Sequence, residues 1–190
     1  MTYERASYQD KWRLERAARA IREKIGLAPT DVLDPRRLAD AVDAHVFHPE
    51  DLVSPQLAAI AARVKWDGFA FVFPGEEHLM VLLNPHRSAK RQSATLMEEI
   101  AHHLLRHEPS RLRTDPQTGL VRRDFNAAQE SEAYDFGSVL LLPKELIQRH
   151  VKTDQGYADD LADRCTCSVD LVEFRIKRCG LWRRYLLYRK

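Results

Sequence analysis

The chain has 190 residues, 44% of them hydrophobic and 31% charged, which suits one compact soluble domain with an ordinary core and leaves little room for a second. Thirty basic against 28 acidic side chains give a formal net charge of +2, so nothing in the balance requires nucleic acid or an anionic membrane as partner. Cys165, Cys167 and Cys179 are odd in number and form no Cys-x-x-Cys pair, which fits a reduced cytoplasmic setting. The first ten residues contain no apolar h-region, and no stretch approaches the roughly 18 apolar residues of a membrane span. The expectation is a cytoplasmic protein with no membrane partner.

In chain order, residues 9–25 read as an amphipathic helix on which Arg13, Arg16, Arg19 and Arg22 form a stripe, expected to be a solvated face. Asp34-Pro35 reads as an N-cap followed by proline at the first helical position, opening a short helix through Leu38, Ala39 and Val42. His45 to His48 is a short extended piece with surface histidines, and residues 54–64 are expected to be helical. Trp66-Asp-Gly68, the apolar run Phe69–Phe73, a Pro74-Gly75 turn and His78–Asn84 together predict a β-hairpin. Its strands are apolar on both faces, so a helix should cover at least one of them.

That helix carries Thr95-Leu-Met-Glu-Glu-Ile-Ala-His-His-Leu-Leu-Arg-His107. At 100° per residue, Glu98 and His102 fall about 40° apart on one edge, while Met97, Ile100, Ala101, Leu104 and Leu105 fill the opposite arc. Glu99 lies about 60° beyond His102 on the polar side, within reach of a water on an ion held by Glu98 and His102. The arrangement is that of His-Glu-x-x-His, in which two side chains four residues apart bind zinc and the intervening glutamate acts as general base, with Glu98 in place of the first histidine. His103 lies close to Glu99 in angle, and His107 falls on the far side of the wheel as a poorer ligand.

Residues 107–126 read as a long loop of the kind that is often functional or disordered. A further helix opens near Ala127 and runs to Pro143, with Glu132 on the face of Phe136, Val139 and Leu140. A carboxylate on that face wants a partner. Residues 157–164 and 168–178 predict two closing helices, the second capped by Ser168. Their spacing is also that of a helix-turn-helix, but packed closing helices are the commoner explanation and nucleic acid is not the expected partner. The tail from Leu181 to Lys190 mixes basic and aromatic residues and reads as a docked terminal strand.

Several of these pieces, in this order, resemble the ImmA/IrrE family of small gluzincin-type metallopeptidases. The matching segments are Trp66-Asp-Gly68, Leu83-Asn84-Pro85, Arg91, the Thr95–His107 helix, Glu130-Ser-Glu-Ala-Tyr-Asp-Phe136 and Leu140-Leu-Leu-Pro143. Leu161–Arg164, Ser168–Val172 and Arg175 resemble its closing helices. The resemblance implies an α+β zincin-like fold, mostly helical, with a small sheet packed on the metal-site helix. It implies one domain over residues 1–182, including the helix pair 157–178, with 183–190 as a basic and aromatic tail.

The resemblance also implies a metal-dependent endopeptidase that cleaves a regulatory protein such as a helix-turn-helix repressor. It places the general base on Glu99 and the metal ligands on Glu98, His102 and Glu132. The residues themselves leave Glu130 open as the third ligand, because it and Glu132 differ by about 200° on a helix and only one can serve. The implied cofactor is one divalent ion, zinc first. The Glu98 carboxylate shifts preference towards manganese or iron(II) and predicts a less acidic bound water. The rival reading is a degenerate peptidase fold that binds the same kind of partner without cutting it.

Overall fold

The computed structural model describes residues 8–51, 66–72, 78–108, 112–114, 121–123 and 126–188. The helix expected over 54–64 and the Pro74-Gly75 turn lie outside them. Helix α1 (Tyr8–Lys24) is followed by α2 (Pro35–Ala41) and β1 (Ala44–Phe47). The predicted cap of α2 is present, with Asp34 Oδ1 accepting from the Arg36 backbone N–H at 2.9 Å. β2 (Gly68–Phe71) and β3 (Leu79–Leu83) pair antiparallel, as the hairpin reading expects.

The sheet has a third strand that the hairpin reading did not supply. β1 pairs with β3 in parallel, giving among the described residues the order β1-β3-β2, with β2 at an edge. Helix α3 (Ala89–Leu104) packs on β2 and β3 and buries Leu96, Met97, Ile100 and Ala101. The segment read as a loop contains β4 (Leu112–Thr114) and β5 (Val121–Arg123), paired antiparallel.

Helix α4 (Ala127–Leu141), capped by Asn126, packs along α3 and α1. Then come α5 (Lys144–Arg149), a π-type turn over His150–Asp154, α6 (Ala158–Arg164) and α7 (Val169–Arg178), the last capped by Ser168 Oγ at 3.1 Å from the Leu171 backbone nitrogen. One core runs from Leu14 through α3 and α4 to Tyr185. The architecture is the α+β, mostly helical one with a small sheet on the α3 helix.

Two expectations are corrected here. The C-terminal segment is not a strand: Trp182–Leu187 forms helix α8. Gly180, at φ +72°, turns the chain out of α7, and Trp182 stacks on Tyr185 three residues on, a contact that helical spacing makes. Nor is the α1 stripe wholly solvated. Arg13, Arg16 and Arg19 are exposed, but Arg22 is buried and donates from Nη1 to the Leu140 carbonyl at 2.8 Å.

Candidate metal centre

The segments quoted around Asp67 act as a clasp between sheet and helix. The Asp67 carboxylate takes Arg91 Nη2 at 2.5 Å and Arg87 Nε at 2.8 Å, and the hydrogen bond from Arg91 holds its carboxyl below the usual range. Asn84 adds a side-chain hydrogen bond to the Trp66 carbonyl at 2.9 Å. The start of α3 is thereby fixed against the hairpin, which sets where its later turns point.

Two turns further on, Glu98 and His102 face α4. They form with Glu130 a group whose ligand atoms all lie within 4.8 Å of one another, and Glu130 Oε2 is 3.5 Å from His102 Nε2. All three side chains are partly buried. The carboxylate brought to the pair is therefore that of Glu130. Glu132, on which the resemblance placed the third ligand, instead contacts Arg13 of α1 and lies 3.2 Å from His107 Nε2.

The reason lies in the helix face. Glu130, Ala133 and Gly137 fall within about 60° on α4, and Ala133 and Gly137 are both buried. A Cβ on Gly137 would sit 3.0 Å from the Met97 carbonyl oxygen, so the two helices touch backbone to backbone there. Residues on that stripe meet α3, and Glu130 is its polar end. Glu132 is turned away by about 200°. The short residues at Ala133 and Gly137 were the available signal for which glutamate faces α3.

His107 also differs from its wheel position. Helix α3 ends at Leu104, and Arg106 adopts φ +55°, so helical angles stop applying. The chain turns back and sets His107 Nδ1 2.9 Å from His102 Nδ1. With the Glu132 contact, this makes a chain of carboxylate, imidazole and imidazole leading to the ligand candidate. The buried His107 ring can accept a hydrogen bond at Nδ1 from His102 Nδ1–H while its Nε2–H donates to Glu132, which leaves His102 Nε2 as a lone-pair donor towards Glu98 and Glu130.

Glu99 is on α3 between Glu98 and His102 and is partly buried. The cysteines offer no competing nucleophile, since burial pushes the Cys165 thiol up to about 11 and Cys167 to about 12. One imidazole and two carboxylates, converging from two helices, make a donor set of catalytic-metal count. The donor atoms present fit a divalent ion.

A family model described as Peptidase M78, the IrrE N-terminal-like domain, matches residues 58–177, well over half of the chain. That span contains Glu98, Glu99, His102, Glu130 and Glu132. No curated protein matches the chain.

Proposed function

The chain belongs to the Peptidase M78 family of IrrE N-terminal-like domains, and from that premise we propose that it is a metal-dependent endopeptidase. Its substrate is a regulatory protein, of which a helix-turn-helix repressor is the expected class. Glu98, His102 and Glu130 hold the ion, and Glu99 is the general base. The observation that carries this reading is the convergence of those three ligand atoms across the α3–α4 contact.

The ion that Glu98, His102 and Glu130 would hold would supply a Lewis acid for the scissile carbonyl and for a water. The Glu99 carboxylate accepts the proton of the attacking water and returns it to the departing amide nitrogen. Glu132 and His107 orient His102 by fixing which of its nitrogens carries the proton. The strand β2, at an edge of the sheet among the described residues, is the expected seat of an extended peptide, a mode in which backbone hydrogen bonds bind and alternate side chains select. Two carboxylates in the donor set offset more of a dication's charge than one would, which favours slower turnover and admits manganese or iron(II) beside zinc.

Metal content by elemental analysis tests the ligand set. His102→Ala and Glu130→Ala are each expected to lose one equivalent relative to wild type, whereas Glu132→Ala retains it with weakened affinity. Glu99→Gln should keep the metal and lose about 100-fold or more in cleavage of a peptide mixture read by mass spectrometry. Unchanged metal content in His102→Ala and Glu130→Ala overturns the site. Metal binding without cleavage by the wild type overturns the peptidase and leaves a binding module.

A further inference from the structure

A second group of metal-ligating side chains shares no residue with the centre on α3 and α4. The parallel pairing of β1 with β3 sets Ala44 opposite Leu79, so the two strand starts lie side by side. The residues just ahead of them, Asp43 and His78, become neighbours, and His78 Nδ1 lies 2.5 Å from Asp43 Oδ2. His45, one residue into β1, brings its Nε2 to 3.8 Å from Asp43 Oδ1. The two imidazoles meet edge to face with centroids 5.5 Å apart. The ligand atoms of all three lie within 4.8 Å of one another.

We propose that Asp43, His45 and His78 form a second metal site, on the solvent side of the strand starts, that takes a borderline divalent transition ion such as zinc. Ligand atoms around a tetrahedral zinc stand about 3.3 Å apart, given bonds near 2.0–2.1 Å. The observed separations, 2.5 Å from His78 to one Asp43 oxygen and 3.8 Å from His45 to the other, lie on either side of that value. All three side chains are exposed, so small rotations bring them to it.

The backbone places the carboxylate independently of the histidines. Asp43 adopts φ +57°, a left-handed conformation that closes the turn between α2 and β1 and that aspartate tolerates better than most residues. Two imidazoles with one carboxylate select against magnesium and calcium, which want all-oxygen shells, and suit zinc or cobalt. An ion bound there ties the start of β1 to the start of β3 and leaves coordination positions for water.

The test is a cobalt(II) titration of the metal-free full chain, followed by visible absorption and checked with zinc competition. Wild type is expected to bind two equivalents and His45→Ala one. In the His102→Ala background, where the α3–α4 centre is removed, one equivalent should remain and vanish when His78→Ala is added. Magnesium should displace none of it. His45 and His78 are exposed, so their replacement leaves the fold intact, which circular dichroism verifies. If His45→Ala and His78→Ala bind as much cobalt as their parents, or His102→Ala binds none while wild type binds one, the second site does not exist. Those outcomes leave the reading of the α3–α4 centre untouched, because its own variants report on it separately.

Discussion

His150 is a buried imidazole that the proposed chemistry does not use. It sits at the head of the π-type turn, donates Nε2–H to the Tyr157 carbonyl at 2.9 Å, and has a buried Nδ1 with no hydrogen-bond partner among the described residues. A proton on Nδ1 would find no acceptor among the described residues, and burial, the largest influence, lowers the pKa against the pull of the Tyr157 carbonyl and Asp154. The folded chain therefore keeps His150 neutral, while the unfolded chain takes up a proton below about pH 6.5. The unfolded state binds more protons in that window, so stability falls as pH drops below about 6.5, at up to about 1.4 kcal/mol per pH unit, until the folded imidazole titrates too. His150→Gln, which keeps an N–H for Tyr157 and removes the titration, should lower stability at pH 7 but flatten the decline. Urea midpoints at pH 7 and 5.5 decide it, and equal declines in the two proteins would exclude His150 as the cause.

At the scale of elements, the contact between α3 and α4 sets the candidate centre, and Gly137 sets the contact. Glycine to alanine inside a helix ordinarily stabilises by about 0.5–1 kcal/mol. Here the added Cβ lies 3.0 Å from the Met97 carbonyl, backbone that cannot swing aside, so overpacking of about 1–3 kcal/mol is set against that gain. Gly137→Ala should thus be destabilised in chemical unfolding, and displacing α4 should weaken metal binding through Glu130. A Gly137→Ala protein as stable as wild type would show that the helices are free to separate there. The same contact shows how far periodicity reaches. The α3 face and the caps at Asp34 and Ser168 were legible because they depend on residues a few positions apart. The parallel β1–β3 pair was not, since nothing local in His45–His48 names its partner, and which of Glu130 and Glu132 lies beside His102 depended on which face of α4 meets a second helix. His107 was misplaced because a wheel assumes the helix continues, and the turn at Arg106 ends it.

Over the whole molecule, two buried arginines hold α4 by its C-terminal end. Arg22 from α1 reaches the Leu140 carbonyl at 2.8 Å, and Arg175 from α7 donates Nε–H to the Leu142 carbonyl at 2.9 Å and Nη2 to Glu15 at 2.6 Å. Carbonyls at a helix end have no partner within the helix, and the dipole there favours cations, which is why these guanidinium groups are tolerated in the core. Desolvation nonetheless lowers the Arg22 pKa, so the arrangement costs something to keep. With α4 fixed at one end to α1 and α7, an ion at Glu130 on the other end joins α3 to a frame that spans the domain. Its binding free energy should then appear as global stability. At a free concentration about 100 times the dissociation constant, linkage supplies about 2.7 kcal/mol. For a chain of this length that corresponds to a rise of about 5–10 °C in Tm. Measured in a His45→Ala background, so that the strand-start group does not contribute, zinc should raise Tm by that amount, and Glu130→Gln should abolish most of the rise while Glu132→Gln keeps much of it. An equal rise in Glu130→Gln would mean that the ion joins other residues, and the α3–α4 assignment would have to be withdrawn.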